Sequence, residues 1–252
     1  MGHPDPIAFT LFGLDIRWYG ILIACGMLLA VLLSCKRAPR HGITDEDVLD
    51  IAIWMLPIGV IGARVYYVIF NLDYYKTLSS MLDIRSGGLA IHGGLLFSIV
   101  TVLIICRRKK IDALNVFDLF VPTVALAQSI GRWGNFFNGE AHGGPTDLPW
   151  GILVDGVKVH PTFLYESIWC LLLFIALSWF NYHRRYAYGQ TMALYFILYS
   201  IERFFVESLR TDSLMIGPFR QAQVISVCAI IAGIILYRYA SANKRIAPAE
   251  AQ

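Results

Sequence analysis

The chain has 252 residues, is 57% hydrophobic and only 15% charged, and carries a net charge of +3. Soluble domains run nearer a quarter charged, so this composition, with a mean hydropathy of +0.58, excludes an ordinary soluble domain and makes lipid the solvent. Its Lys and Arg residues flank apolar runs instead of interleaving with aromatics, which argues against nucleic acid as a partner.

A helix that crosses hydrocarbon needs about 20 mostly apolar residues. In chain order, seven segments are candidates: about 18–35, 48–70, 88–106, 113–131, 162–181, 189–208 and 221–239. The second, fourth and sixth carry charges and are weaker on hydropathy alone. The first apolar run lacks the basic n-region and small-residue cleavage site of a secretory signal, so it is expected to be retained. The sizeable extramembrane piece is about 132–161, rich in Gly, Pro and Asn, with a short hairpin expected around Val154-Asp155-Gly156-Val157. No internal repeat stands out. The expected fold is an all-α membrane protein of about seven transmembrane helices in one domain, 1–252.

Orientation follows from the basic loops. Odd-numbered helices end at Lys36/Arg37/Arg40, Arg107/Arg108/Lys109/Lys110, Arg184/Arg185 and Arg238/Lys244/Arg245, which together hold 12 of the 21 basic residues. The other side carries dispersed Arg17, Lys76, Arg85, Lys158, Arg210 and Arg220, mixed with acids. The N-terminus is therefore expected outside, the C-terminus inside, and segment 132–161 outside. Cys25, Cys35, Cys106, Cys170 and Cys228 all lie in or beside apolar segments without a CxxC pair, which reads as packing and offers no metal or redox site.

A charge in hydrocarbon is costly, at least ~2.5–3.5 kcal/mol on insertion scales, so each intramembrane charge is a functional candidate. His92 falls about four residues into the third helix from its outer end, roughly 6 Å deep at ~1.5 Å per residue. Arg132, Asn135 and Glu140 fall at or just beyond the outer end of the fourth helix. Glu166 is near the outer start of the fifth, Arg203 and Glu207 in the outer part of the sixth, and Tyr19 begins the first. One topology thus brings residues distant in sequence to one level. Tyr199, Arg203 and Glu207 share a helix face through their i, i+4 spacing, although Arg203 and Glu207 can also simply neutralise each other. Arg64, midway along the second helix, must find an acid or carbonyls, as scaffold or as site. Glu202, on another face of its helix, is read as a structural partner for such a charge.

Gly87-Gly88-Leu89-Ala90-Ile91-His92-Gly93-Gly94 brackets one histidine with glycines that permit close approach, here read as ligand access to the ring. A neutral imidazole, with a reference pKa of ~6.5, can take a proton from a thiol or hydroxyl. In Gly131-Arg132-Trp133-Gly134-Asn135-Phe136-Phe137-Asn138-Gly139-Glu140, an arginine between glycines is followed by two amides. That is the donor set of an oxyanion or phosphate site, with approachable backbone N–H groups, and at a membrane surface it suggests a phospholipid headgroup. Arg203 is positioned to hold the phosphate from a second side.

That ten-residue stretch resembles the signature of the prolipoprotein diacylglyceryl transferases of bacterial inner membranes. Further matches run along nearly the whole chain: Arg17-Trp18-Tyr19-Gly20, Gly62-Ala63-Arg64, His92-Gly93-Gly94, His160-Pro161 through Tyr165-Glu166, Glu202-Arg203 through Glu207, and Gln223 before Ser226. The resemblance implies transfer of the diacylglyceryl group of phosphatidylglycerol to the lipobox cysteine of a preprolipoprotein, forming a thioether and releasing glycerol-1-phosphate. This is the first step of lipoprotein maturation, before signal peptidase II acts. It implies a multi-pass inner-membrane enzyme, read as a monomer, with its site towards the periplasm and no cofactor or metal. The implied catalytic residues are His92, Arg132 and Arg203. Tyr19, Asn135, Asn138, Glu140, Gly143, Glu166, Tyr199 and Glu207 are implied to join Arg132 in binding substrate. A free thiol, with a pKa of ~8.5, is mostly protonated at neutral pH, so a base or an electropositive site must assist. His92 is the candidate base, or is positional if the arginines alone suffice. Glu140, Glu166 and Glu207 are read as orienting the arginines. His142-Gly143-Gly144-Pro145 departs from the usual continuation of the signature.

Three rival classes compete. A secondary transporter would show inverted repeats and a midplane site. An intramembrane protease built on Ser129 would need a Gly-x-Ser-x-Gly elbow, or paired intramembrane aspartates in its place. Neither pattern occurs. A lipid-binding scaffold without chemistry would bind the phosphate identically, and only an assay separates it from an enzyme.

Overall fold

The computed structural model describes residues 4–84 and 87–246. Seven long helices account for most of these residues: α1 (Trp18–Arg37), α2 (Asp45–Ile69), α4 (Ile91–Lys109), α5 (Ala113–Asn138), α6 (Thr162–His183), α7 (Gln190–Leu209) and α8 (Gln221–Asn243). All but α7 are long and apolar enough to cross a membrane; α7 carries Glu202, Arg203 and Glu207 within its twenty residues. The chain is an all-α membrane protein. Short elements join the helices: hairpin β1 (Ile7–Leu11)/β2 (Leu14–Arg17), the helical turn α3 (Leu78–Leu82), hairpin β3 (Ile152–Val154)/β4 (Val157–Val159), and β5 (Met215–Ile216)/β6 (Phe219–Arg220). The β3/β4 hairpin turns at Asp155 and Gly156, as the Val-Asp-Gly-Val sequence predicts, with both φ angles positive. The other two hairpins and α3 have no counterpart among the predicted elements. The chain divides into two compact units, one formed by Met1–Ser34 with Phe117–Gln252 and the other by Cys35–Val116.

In the first unit, small residues and buried hydrogen bonds set the helix contacts. A Cβ at Gly26 of α1 would stand 3.2 Å from the Ala127 carbonyl oxygen of α5, and Ser34 and Thr123 share a 2.9 Å hydrogen bond between the same two helices. Pro122 inside α5 cannot donate to the carbonyl four residues back. That carbonyl, on Asp118, accepts from the Asn181 amide of α6 at 2.7 Å, so the proline leaves no orphan acceptor in an apolar setting. The Asp118 carboxylate, wholly buried, caps α7 by accepting from the N–H groups of Gly189 and Met192 at 2.7 and 2.8 Å. Ser129 and Ser167 tie α5 to α6 reciprocally, each hydroxyl donating to the other's carbonyl. Ser129 is thus a buried clamp.

In the second unit α2 starts at a capping box, Thr44 with Asp47. It crosses α4 over a glycine seam: a Cβ at Gly93 would lie 2.3 Å from the Gly62 carbonyl oxygen. Lys109 at the end of α4 pairs with Asp47 and Asp50 of α2 at 2.7 and 2.5 Å.

Candidate active site

The site in the first unit is organised by one carboxylate. Glu166, in the first turns of α6, has no solvent exposure and faces three guanidinium groups. Arg132 of α5 pairs with its Oε2. Arg203 of α7 and Arg210, just beyond α7, approach Oε1 at 3.5 and 3.8 Å. Arg203 also pairs with Glu207, one turn on, at 2.7 Å. Tyr199, one turn before Arg203, receives a 3.4 Å hydrogen bond from Arg132 and stacks on Tyr195 at 5.3 Å between ring centroids. Tyr195 in turn donates to Gln128 of α5 at 2.7 Å.

A guanidinium carries five N–H donors and a carboxylate accepts at about four lone-pair sites, so Glu166 and Glu207 cannot saturate three arginines. Glu166 is fully enclosed, yet the Arg132 and Arg203 side chains keep 21% and 19% exposure. The acid is the internal strut, and the free donor edges of the arginines are what an incoming anion would meet. Asp212 completes Arg210 from outside with two hydrogen bonds of 2.9 and 2.7 Å, and these hold its carboxyl below the usual carboxylate range. Arg220 donates to the carbonyl oxygens of Glu207 and Arg210, fixing the chain where α7 ends.

The predicted loop beginning at residue 132 is corrected: α5 continues to Asn138. Arg132, Asn135 and Asn138 are therefore helical, three residues apart along one face. The backbone N–H groups of Gly131 and Gly134 belong to the helix ladder and do not serve as free anion donors. Their missing side chains admit α1 instead. A Cβ at Gly134 would lie 2.6 Å from the Tyr19 ring, which sets Tyr19 against this helix. Past the helix, the Asn135 and Asn138 amides both donate to Glu140 Oε1 at 3.1 Å. Glu140 thus orders the two asparagines and touches none of the arginines among the described residues, a departure from its predicted arginine-orienting role. Gly143 sits where a Cβ would meet His160 at 2.7 Å and the Leu209 carbonyl at 3.0 Å, so its glycine is required by packing.

His92 belongs to the second unit. It is the second residue of α4, which starts at Ile91, and so lies shallower than the four residues expected. Its side chain is exposed, with its ring 6.3 Å from that of Tyr66. Part of the glycine bracket serves packing: Gly93 lies against Gly62, and a Cβ at Gly88 would lie 2.6 Å from Arg64, whereas a Cβ at Gly87 would meet nothing within 4 Å. Arg64 finds carbonyls, those of Ser80, Met81, Gly87 and Gly88 at 2.5–3.1 Å, and lies over the Tyr75 ring. It is a scaffold residue that ties the 71–90 connection to α2. Its expected partner Glu202 belongs to the first unit, where both carboxylate oxygens are buried without a hydrogen bond among the described residues.

Arg210 is the site residue that the sequence reading missed, since it looked like one more dispersed loop charge. Its signal was spacing: seven residues after Arg203 and three after Glu207, it continues the same helical stripe.

These features define a polytopic helical membrane protein with a cluster of three arginines held by one buried glutamate. The model of the family "Prolipoprotein diacylglyceryl transferase" matches residues 6–239. The chain is 56% identical over 242 residues to the phosphatidylglycerol--prolipoprotein diacylglyceryl transferase of Clostridioides difficile (strain 630), covering 96% of this chain and 97% of that protein. It is 52% identical to the protein of the same name from Finegoldia magna, over 92% and 94% of the two chains. A further relative of that name, from Staphylococcus carnosus, is 44% identical over 94% and 92%. The chain belongs to the prolipoprotein diacylglyceryl transferase family.

Proposed function

We propose that this protein transfers the diacylglyceryl group of phosphatidylglycerol to the lipobox cysteine of preprolipoproteins, the first step of lipoprotein maturation. The observation that carries the reading is Glu166 gathering Arg132, Arg203 and Arg210 around one buried carboxylate. The sulfur attacks the glyceryl carbon bonded to the phosphate. A C–S bond forms as the C–O bond breaks, the bonding pair leaves on the phosphate oxygen, and the thiol proton passes to a base. The diester begins with one negative charge and the departing glycerol-1-phosphate takes a second, so charge grows where preorganised donors are most effective. Arg132 and Arg203 meet that charge, Arg210 braces Glu166, and Tyr199 orients Arg132. Tyr19, Asn135, Asn138, Glu140, Gly143 and Glu207 shape the binding surface. His92 is the proposed base.

In this reading all seven long helices span the membrane, with the N-terminus and the site on the periplasmic side of the cytoplasmic membrane, and the enzyme works as a monomer. The buried Asp118 caps the start of α7, and Glu166 of α6 meets Arg203, which supports the inclusion of α7. Incubation of the purified protein with phosphatidylglycerol and a lipobox peptide should add the mass of one diacylglyceryl group. Arg132→Ala should lower turnover about 10²–10³-fold, as for a lost oxyanion donor. Folded protein that binds the lipid but yields no mass shift would make this a binding scaffold instead of an enzyme.

A further inference from the structure

Of the three arginines on Glu166, Arg210 is the one that also meets a carboxylate from the water side. Arg203 shares Glu207, which is buried, whereas the Asp212 side chain keeps 51% exposure. Asp212 holds Arg210 by a two-bond fork, Nε donating to Oδ1 at 2.9 Å and Nη2 to Oδ2 at 2.7 Å. The third nitrogen, Nη1, faces Glu166 at 3.8 Å. A guanidinium takes a phosphate through the same fork, so Asp212 occupies the edge of Arg210 that an anion would otherwise use.

The backbone of Arg210 is fixed at the same time. Its N–H donates to the Glu207 carbonyl at 3.3 Å, its own carbonyl accepts from Arg220 at 3.0 Å, and it forms an antiparallel bridge with Gly143. A change of partner is therefore confined to the side chain. An ion pair with one member in water contributes little to stability. The main effect of Asp212 is then on whatever anion the arginines hold.

The ion pairs join three guanidinium groups to three carboxylates, those of Glu166, Glu207 and Asp212, so these six groups balance. The proposed transfer upsets the balance unevenly. The diester brings one negative charge, and the departing phosphate monoester carries two at pH 8, since its second pKa is ~6. Arginines that favour the growing charge also favour keeping the product. A fixed negative charge at the outer edge acts twice as strongly on the dianion as on the monoanion. For a separation of about 7 Å and a dielectric constant near that of water, removing that charge tightens the dianion by about fivefold to tenfold and the monoanion by about twofold to threefold.

We propose that Asp212 is a product-release residue: by occupying the outer edge of Arg210, it keeps the arginine cluster from retaining the phosphate-monoester dianion that the reaction generates. This rests on the transfer reaction proposed above. Asp212 acts through Arg210, as a positioning residue, and takes no part in bond making.

The test compares wild-type protein with Asp212→Asn, Asp212→Ser and Asp212→Glu in detergent at pH 8. Asp155→Asn, at the β3/β4 turn, controls for net charge. Titration calorimetry gives the Kd of glycerol-1-phosphate, and thioether formation from phosphatidylglycerol and a cysteine peptide is followed under single and multiple turnover. Asp212→Asn and Asp212→Ser should bind glycerol-1-phosphate about fivefold or more tightly, a gain that added salt erodes. Their multiple-turnover rate should fall several-fold while the single-turnover rate stays within about twofold. Asp212→Glu should return both readouts towards the wild type. A Kd within about twofold of the wild type in the folded variants overturns the proposal. Weaker binding also overturns it, because Asp212 would then orient Arg210 towards the phosphate. An equal gain in Asp155→Asn would reduce the effect to net charge, and unfolding of both Asp212→Asn and Asp212→Ser would make Asp212 structural; either result overturns it too. Absence of any thioether with the wild type would instead sink the transfer reaction, and this proposal with it.

Discussion

Glu166→Gln tests the architecture of the site most directly, because it removes one charge and almost no volume. In the wild type one buried carboxylate stands within ion-pair distance of Arg132, Arg203 and Arg210. At 3.5 Å and an effective dielectric constant of about 20, a single such pair has a gross attraction of about 5 kcal/mol. Desolvation offsets much of that in the intact cluster. Removing the acid alone leaves three cations facing a neutral amide, and breaking a buried pair in this way costs about 3–5 kcal/mol. Arg132 loses its strut and, among the described residues, keeps only the long hydrogen bond to Tyr199. The variant should therefore unfold well below the wild type in detergent, and transfer should fall at least tenfold even where it is folded. Because the loss is one of negative charge, phosphatidylglycerol should raise the melting temperature of Glu166→Gln more than that of the wild type, whereas a neutral diacylglycerol should not. A melting temperature within a degree of the wild type, with turnover within a few-fold, would refute the view that Glu166 holds the arginines.

Three further outcomes are expected. His92→Gln should lower turnover about 10²–10⁴-fold if the imidazole removes the thiol proton, and single-turnover rates with a peptide of lower thiol pKa should recover part of the loss; near-normal turnover removes His92 from the base role. Gly93→Ala forces a methyl to 2.3 Å from the Gly62 carbonyl oxygen. It should destabilise the α2–α4 seam by about 1–3 kcal/mol, read as a lower melting temperature in detergent. Asp212 has its folded pKa depressed, chiefly by its hydrogen bonds to Arg210. Its stabilising contribution is therefore complete above the unfolded pKa of ~3.9 and is lost as pH falls through the lower folded value. Asp212→Asn should flatten that acidic limb in a melting-temperature profile and leave the profile near pH 7 parallel to the wild type.

The helices were legible because hydrocarbon imposes a length and a hydropathy that any sequence must display. The signature residues were legible because arginine, glutamate and histidine are expensive there and stand out. The extension of α5 through Gly131 and Gly134 was not. Glycine reads locally as a helix breaker, and only the contact with Tyr19 of α1 makes its missing side chain useful inside a helix. Two of the glycines beside His92 were illegible for the same reason, since the neighbours of Gly93 and Gly88 are Gly62 and Arg64 on another helix.

By itself the sequence determined that this protein lives in lipid, how many long helices it forms, and which charges require an explanation. Helical periodicity could also relate residues on one helix, such as Tyr199, Arg203 and Glu207. Only tertiary structure decided that Arg132, Arg203 and Arg210 share Glu166, that Arg64 is satisfied by four carbonyls, and that Glu140 serves two asparagines. A partner across helices is selected by distance and burial, and a one-dimensional spacing carries neither.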